Sequence, residues 1–160
     1  MPARTQPSEP TPTDTAMMRR ALELAATAAT AGEVPVGAVV YRGEQVIAEA
    51  HNQREEADDP AGHAELLALR AAAKLLGSWR LDGCTLAVTL EPCPMCAGAM
   101  LNARLPRLVY GATDPKMGAV HTLYQLLSDA RFNHRVEVIP GVLADECGEV
   151  LRRFFRARRS

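Results

Sequence analysis

Between residues 14 and 31, Met17, Ala21, Leu24, Ala25 and Ala28 recur at intervals that share one face of an amphipathic helix, which Gly32 stops. Residues 36–41 and 45–51 are short β-rich runs around a tight turn at Gly43, the pattern of a hairpin. A charged loop over 54–62 contains Asp59-Pro60, which reads as a helix N-cap followed by the proline allowed at the first helical position. The helix it introduces runs to Leu76, is ended by Gly77, and has only Glu65, Arg70 and Lys74 as charged residues. So narrow a polar stripe predicts burial against a sheet.

Further along, the pattern predicts a strand over 85–90, a helix over 94–103, a strand over 107–111, a loop over 111–118, a short helix over 121–127, a strand over 135–139 and a closing helix over 144–158. Strand, helix, strand in succession implies right-handed crossovers and parallel pairing. The α-ββ-α-β-α-β-α-β-α series predicts an α/β protein, a three-layer α/β/α sandwich around a mixed five-stranded sheet. Ahead of it, residues 1–13 hold Pro2, Pro7, Pro10 and Pro12 among Thr, Ser and Gln and read as a disordered tail, leaving 14–160 as one domain.

Composition narrows the function classes. No apolar run approaches a membrane span and the N-terminus lacks a secretion-type segment, so the chain reads as cytoplasmic. Of four cysteines, Cys84 and Cys147 fall within predicted elements and are expected to be reduced and buried. A net charge of −1 argues against nucleic acid until its distribution is considered: residues 152–160 carry five arginines and no acid, leaving the rest at −6. On a closing helix Arg152, Arg156 and Arg159 would form one stripe able to meet phosphates, with Phe154 and Phe155 turned inward.

The candidate chemistry lies in His63-Ala64-Glu65 and Pro92-Cys93-Pro94-Met95-Cys96. One His and two Cys are the N/S ligands that zinc prefers, and a catalytic zinc centre takes three protein ligands and leaves one position to water. Glu65 is the spare group, placed to take a proton from that water. His63 and Glu65 stand at i and i+2, which can converge on one point only at a helix N-terminus; Pro94 likewise suits a first helical position, with Cys93 at its cap. The Cys-x-x-Cys piece alone also fits a redox pair or half of a structural zinc site, whose fourth ligand could be Cys84, Cys147, His51, His121 or His134.

His-Ala-Glu followed by Pro-Cys-x-x-Cys is the zinc-deaminase signature. With Val34-Pro35-Val36-Gly37-Ala38-Val39, Glu91-Pro92-Cys93, Cys96-Ala97-Gly98-Ala99-Met100 and Phe132-Asn133-His134-Arg135, the chain resembles the bacterial tRNA-specific adenosine deaminase family over residues 17–159. The resemblance implies a cytidine deaminase-like fold with strand order 2-1-3-4-5, and Zn²⁺ held by His63, Cys93 and Cys96 with Glu65 as acid and base. It further implies nucleotide contact at Asn52, RNA contacts at Asp114 and Lys116, a tRNA anticodon stem-loop as substrate, and a homodimer. Thr113 and Pro115 depart from the family's usual loop. Deamination of a free base such as guanine or cytosine, a non-catalytic zinc-stabilised RNA-binding module and a thiol oxidoreductase are the competing expectations.

Overall fold

The computed structural model describes residues 8–159. Residues 1–7, part of the expected tail, lie outside that description. The rest of the tail is shortened by a capping box. Thr11 Oγ1 accepts the Asp14 amide at 3.1 Å, the Asp14 carboxylate accepts the Thr11 amide at 2.8 Å, and Pro12 opens α1 (Pro12–Thr30) ahead of the expected start. There follow β1 (Gly37–Arg42), β2 (Gln45–His51), α2 (Ala64–Leu76), β3 (Thr85–Leu90), α3 (Pro94–Asn102), β4 (Arg107–Ala112), β5 (Glu137–Ile139) and α4 (Ala144–Arg159).

The sheet order is β2-β1-β3-β4-β5. The strand β1 is antiparallel to both neighbours, whereas β3, β4 and β5 run parallel, as crossovers through α3 and the later chain require. Successive residues along each strand alternate between two cores. Val39, Tyr41, Ala87, Val109 and Ile139 pack with α1 and α4. Ala38, Val40, Leu86, Val88, Leu108 and Tyr110 pack with α2 and α3 on the other face. Gly37 lets α1 approach this closely: a Cβ there would collide with the Ala21 carbonyl and stand 2.8 Å from the Ala25 nitrogen.

Three expectations change. Asp59 does not cap α2; its Oδ1 accepts the Ala61 amide at 2.9 Å in a local turn, and the helix begins after His63 instead. The expected helix over 121–127 is replaced by a 3₁₀ turn, Leu126–Ser128, because the Val120, His121 and Thr122 amides go to the Glu91 carboxylate and those of Leu123 and Tyr124 to the Gly118 carbonyl. The expected burial of α2 against the sheet holds, on the face of Ala64, Glu65, Ala68, Leu69 and Ala72, while Leu75 on the other side is 67% exposed. On α4, Phe155 is exposed and Phe154 half-buried beneath the Arg158 guanidinium, so neither turns into the core; Cys147, near the start, is the buried residue of this helix.

Candidate metal centre and pocket

Both signature pieces fall at helix starts. His63 is the N-cap of α2 and Cys93 the N-cap of α3, with Pro94 at the first position, and neither side chain makes a capping bond. Freed from that task, they meet across the gap between the helices. His63 Nδ1 lies 3.5 Å from Cys93 Sγ and 3.6 Å from Cys96 Sγ, and the three donor atoms fall within 4.8 Å of one another. A tetrahedral zinc ion with its usual N and S bond lengths separates such donors by about 3.6 Å. The donor set therefore fits zinc without rearrangement, and the positive ends of two helices face it. Cys84, Cys147, His51, His121 and His134 stand outside this group. His121 Nδ1 pairs with the Tyr110 hydroxyl at 2.7 Å and His134 Nε2 with the Leu105 carbonyl at 2.8 Å, so among the described residues no fourth protein ligand closes the centre.

Proton sharing marks the same crowding. Hydrogen bonding from Cys96 brings the Cys93 thiol down to about 4, with His63 assisting against the cost of burial. That contact, together with burial, pushes Cys96 up, and the hydrogen bond with Cys93 raises His63. Glu65, second residue of α2, is 4% exposed, and burial pushes its carboxyl up. No arginine or lysine pairs with it among the described residues. His63, Cys93 and the buried, protonatable carboxyl of Glu65 thus line an open pocket of about 650 Å³, with Cys96 fully buried beside them.

The walls come from three segments. Val34 and Val36 lie just ahead of β1, Arg54 and Pro60 belong to the loop after β2, and Asp114 and Met117 to the loop after β4. Asn52 lines the pocket, 7% exposed; its Nδ2 donates to the Val34 carbonyl at 3.3 Å while Oδ1 has no partner. Asp114 is half-buried at the wall, but its Oδ1 is occupied by the Lys116 and Met117 amides at 3.0 and 3.2 Å, and Lys116 is exposed outside the lining. The arginine stripe is not at the pocket. It lies on α4, against the other face of the sheet, and Arg152 and Arg156 already pair with Glu149 at 3.2 and 2.8 Å. Arg158, however, donates to the Gly32 carbonyl and so brings the end of α4 to the segment leading into Val34.

Two further residues shape the site without standing out in the sequence. Glu33, 1% exposed, accepts the Glu56 amide at 2.8 Å and holds the loop after β2. Glu91, 2% exposed, does the same for the loop after β4, and although burial alone would raise its carboxyl, the amides of His121, Asp114 and Thr122 and the Thr122 hydroxyl outweigh it and hold it below the usual range. The signal for Glu91 is a lone charge closing an apolar strand.

A model of the MafB19-like deaminases matches residues 13–159, which sets the class: a deaminase on a cytidine deaminase-like fold. Among curated relatives, the tRNA-specific adenosine deaminase of Bacillus subtilis is 51% identical over 91% of either chain. A solved structure from work on A-to-I editing by tRNA:A34 deaminases at the wobble position of transfer RNA is 43% identical, covers 86% of this chain and 99% of its own, and has a TM-score of 0.82. A guanine deaminase from Nitrosomonas europaea is 27% identical over 95% and 89% of the two chains, with a TM-score of 0.77. The chain belongs to the tRNA-specific adenosine deaminase family.

Proposed function

We propose that this protein deaminates adenosine to inosine at the wobble position of a tRNA anticodon, with an arginine tRNA as the substrate, using zinc held by His63, Cys93 and Cys96. The observation that carries this reading is Glu65, a buried carboxyl without an arginine or lysine partner that stands beside three zinc-type donors and lines a pocket wide enough for a nucleoside. When bound, zinc supplies a water whose pKa is lowered towards neutrality. Glu65 would take one proton from that water and pass it to the adenine ring nitrogen, then take the remaining proton of the oxygen added at C6 and pass it to the departing amine. Water adds at C6, the C6–amine bond breaks, and inosine and ammonia result. Asn52, which lines the pocket, would contact the flipped nucleotide.

The stem-loop would extend over the rim formed by Arg54 and Asp114 and past Lys116, exposed on the same loop as Asp114, with Arg152, Arg156 and Arg159 meeting phosphates beyond it. A tRNA substrate goes with a cytoplasmic location, and among the described residues no helix is long and apolar enough to cross a membrane. Exposed Met95 on α3, a helix without a charged residue, and exposed Leu123 and Tyr124 support a homodimer, which sedimentation at twice the chain mass would verify.

The deciding assay measures zinc content together with inosine formation on an arginine tRNA anticodon stem-loop bearing adenosine at the wobble position, with free guanine and free cytosine as parallel substrates. Inosine on the stem-loop and no turnover of the free bases is the expected result. Turnover of a free base alone would overturn it in favour of a base deaminase, and stem-loop binding without any product would indicate an RNA-binding module.

A further inference from the structure

Glu91 follows β3, immediately before the turn that delivers Cys93, and its carboxylate is spent on a single loop. Oε1 accepts the Asp114 amide at 3.1 Å and the Thr122 hydroxyl at 2.5 Å. Oε2 accepts the amides of Val120, His121 and Thr122 at 3.2, 2.9 and 3.0 Å. The backbone on either side joins in, with the Glu91 amide donating to the Ala112 carbonyl at 2.8 Å and the Pro92 carbonyl accepting the Ala119 amide at 2.9 Å. The loop over 113–122 is therefore wound around one buried charge. The space for that charge is left by Gly118, where a Cβ would stand 2.6 Å from Glu91 Oε1 and 2.6 Å from the Asp114 carbonyl.

What the loop carries is the pocket wall. Asp114 and Met117 line the site, and the Asp114 side chain is itself committed to the turn through the Lys116 and Met117 amides. Ala119 and Val120 root the far end of the loop in the core, but the stretch over 113–117 is mostly exposed and would otherwise sample many positions. We propose that Glu91 is a positioning residue for substrate recognition: its carboxylate fixes the Asp114 and Met117 wall over the donor triangle and so governs how tightly the anticodon loop is held, not how fast the bound adenosine reacts. This rests on the tRNA deaminase reading and extends it to a residue that touches neither substrate nor metal. Sites held by a supporting shell lose precision when that shell is loosened.

The test uses zinc-loaded full-length protein and three variants. Glu91→Gln turns one acceptor oxygen into an amide that faces amides; Gly118→Ala displaces the carboxylate without altering charge; Thr122→Val removes one donor and leaves the backbone bonds intact. For Glu91→Gln and Gly118→Ala, Kd and KM for the stem-loop rise about tenfold or more while kcat stays within about threefold, the pattern expected when ground-state and transition-state binding weaken equally. Thr122→Val shows a few-fold rise. Hydrogen exchange accelerates at the amides of residues 114 and 120–122 and is unchanged in β3 and β4, a readout that general destabilisation would not give. Zinc content is unaltered. Should Glu91→Gln prove insoluble, the other two variants decide. An inactive wild-type enzyme overturns both this inference and the activity it rests on. An active wild type whose variants keep its Kd, or lose kcat and zinc together at constant KM, overturns this inference alone.

Discussion

Asp14 and Glu65 are both acids in the first turn of a helix packed on the central sheet, one on each face, and both are nearly inaccessible at 1% and 4% exposure. Their partners differ in kind. Burial works against the Asp14 carboxylate, but Arg107 contacts both its oxygens at 2.6 Å, the Tyr41 hydroxyl donates at 2.5 Å and the Thr11 amide at 2.8 Å, and together they hold it far below the usual carboxylate range. Glu65 has no such set, and burial pushes it up. The same residue class in the first turn of a helix thus becomes a stabilising tie where its charge is saturated with donors, and a proton carrier where it is not.

The sharpest way to break this contrast is at the donors themselves. Cys93→Ala or Cys96→Ala removes one of three ligands and is expected to abolish both zinc content and inosine formation, read by metal analysis and product assay. Next in size, Glu65→Gln keeps zinc and fold but lowers kcat by roughly 10²–10⁴-fold, the usual worth of a general acid–base group. Near-normal turnover by this variant would remove the proposed mechanism.

Asp14→Asn should do the reverse. It leaves Arg107 without its carboxylate in a mostly buried position and is expected to cost about 3 kcal/mol, a fall in Tm of roughly 10 °C, with kcat of the folded enzyme unchanged. A pH series sharpens the same point. Because the folded Asp14 carboxyl lies below its unfolded value, its contribution is complete above the unfolded value near 3.8 and is lost as pH falls from there towards the lower folded value. Urea unfolding of the wild type should therefore weaken below about pH 4, and Asp14→Asn should show a shallower loss, the remainder coming from Glu91, whose carboxyl is also held low. The smallest expected effect concerns charges that are neither buried nor saturated. Changing Arg152, Arg156 and Arg159 together to Gln should weaken stem-loop binding and reduce the salt slope by about one unit for each phosphate no longer neutralised, while zinc content and Tm barely move. With Glu149 already engaging Arg152 and Arg156, the reduction is expected to fall short of what three free arginines would produce.

Much of this is legible in the chain because it depends on local pattern. The β-rich runs of β1, β3 and β4 mark out the sheet, and the proline positions place Cys93 at a helix start. The donors His63, Cys93 and Cys96 are legible because their residue types are chemically rare together, and the structure brings all three within bonding range of one ion. What cannot be read depends on where distant polar groups spend their bonds. Asp59 looks like a cap but serves a turn, and 121–127 has helical composition yet loses its amides to Glu91, a residue some thirty positions earlier. The arginine stripe reads as one free face, but the chain's own Glu149 lies within its reach on the same helix.

The hanging of two pocket loops from single buried carboxylates, Glu33 for the loop after β2 and Glu91 for the loop after β4, bears on how this scaffold can change over generations. The loop amides are gripped through the backbone, which every residue type but proline supplies, so the side chains at Arg54, Lys116 and Met117 can vary without disturbing the anchors or the donors. Tolerance in the walls and rigidity in the floor are thereby separated. A selection for new substrates confined to those rim positions should keep stem-loop binding in most of its members, whereas the same diversity at Glu91 or Gly118 should yield chains that fold and bind zinc but hold the stem-loop weakly.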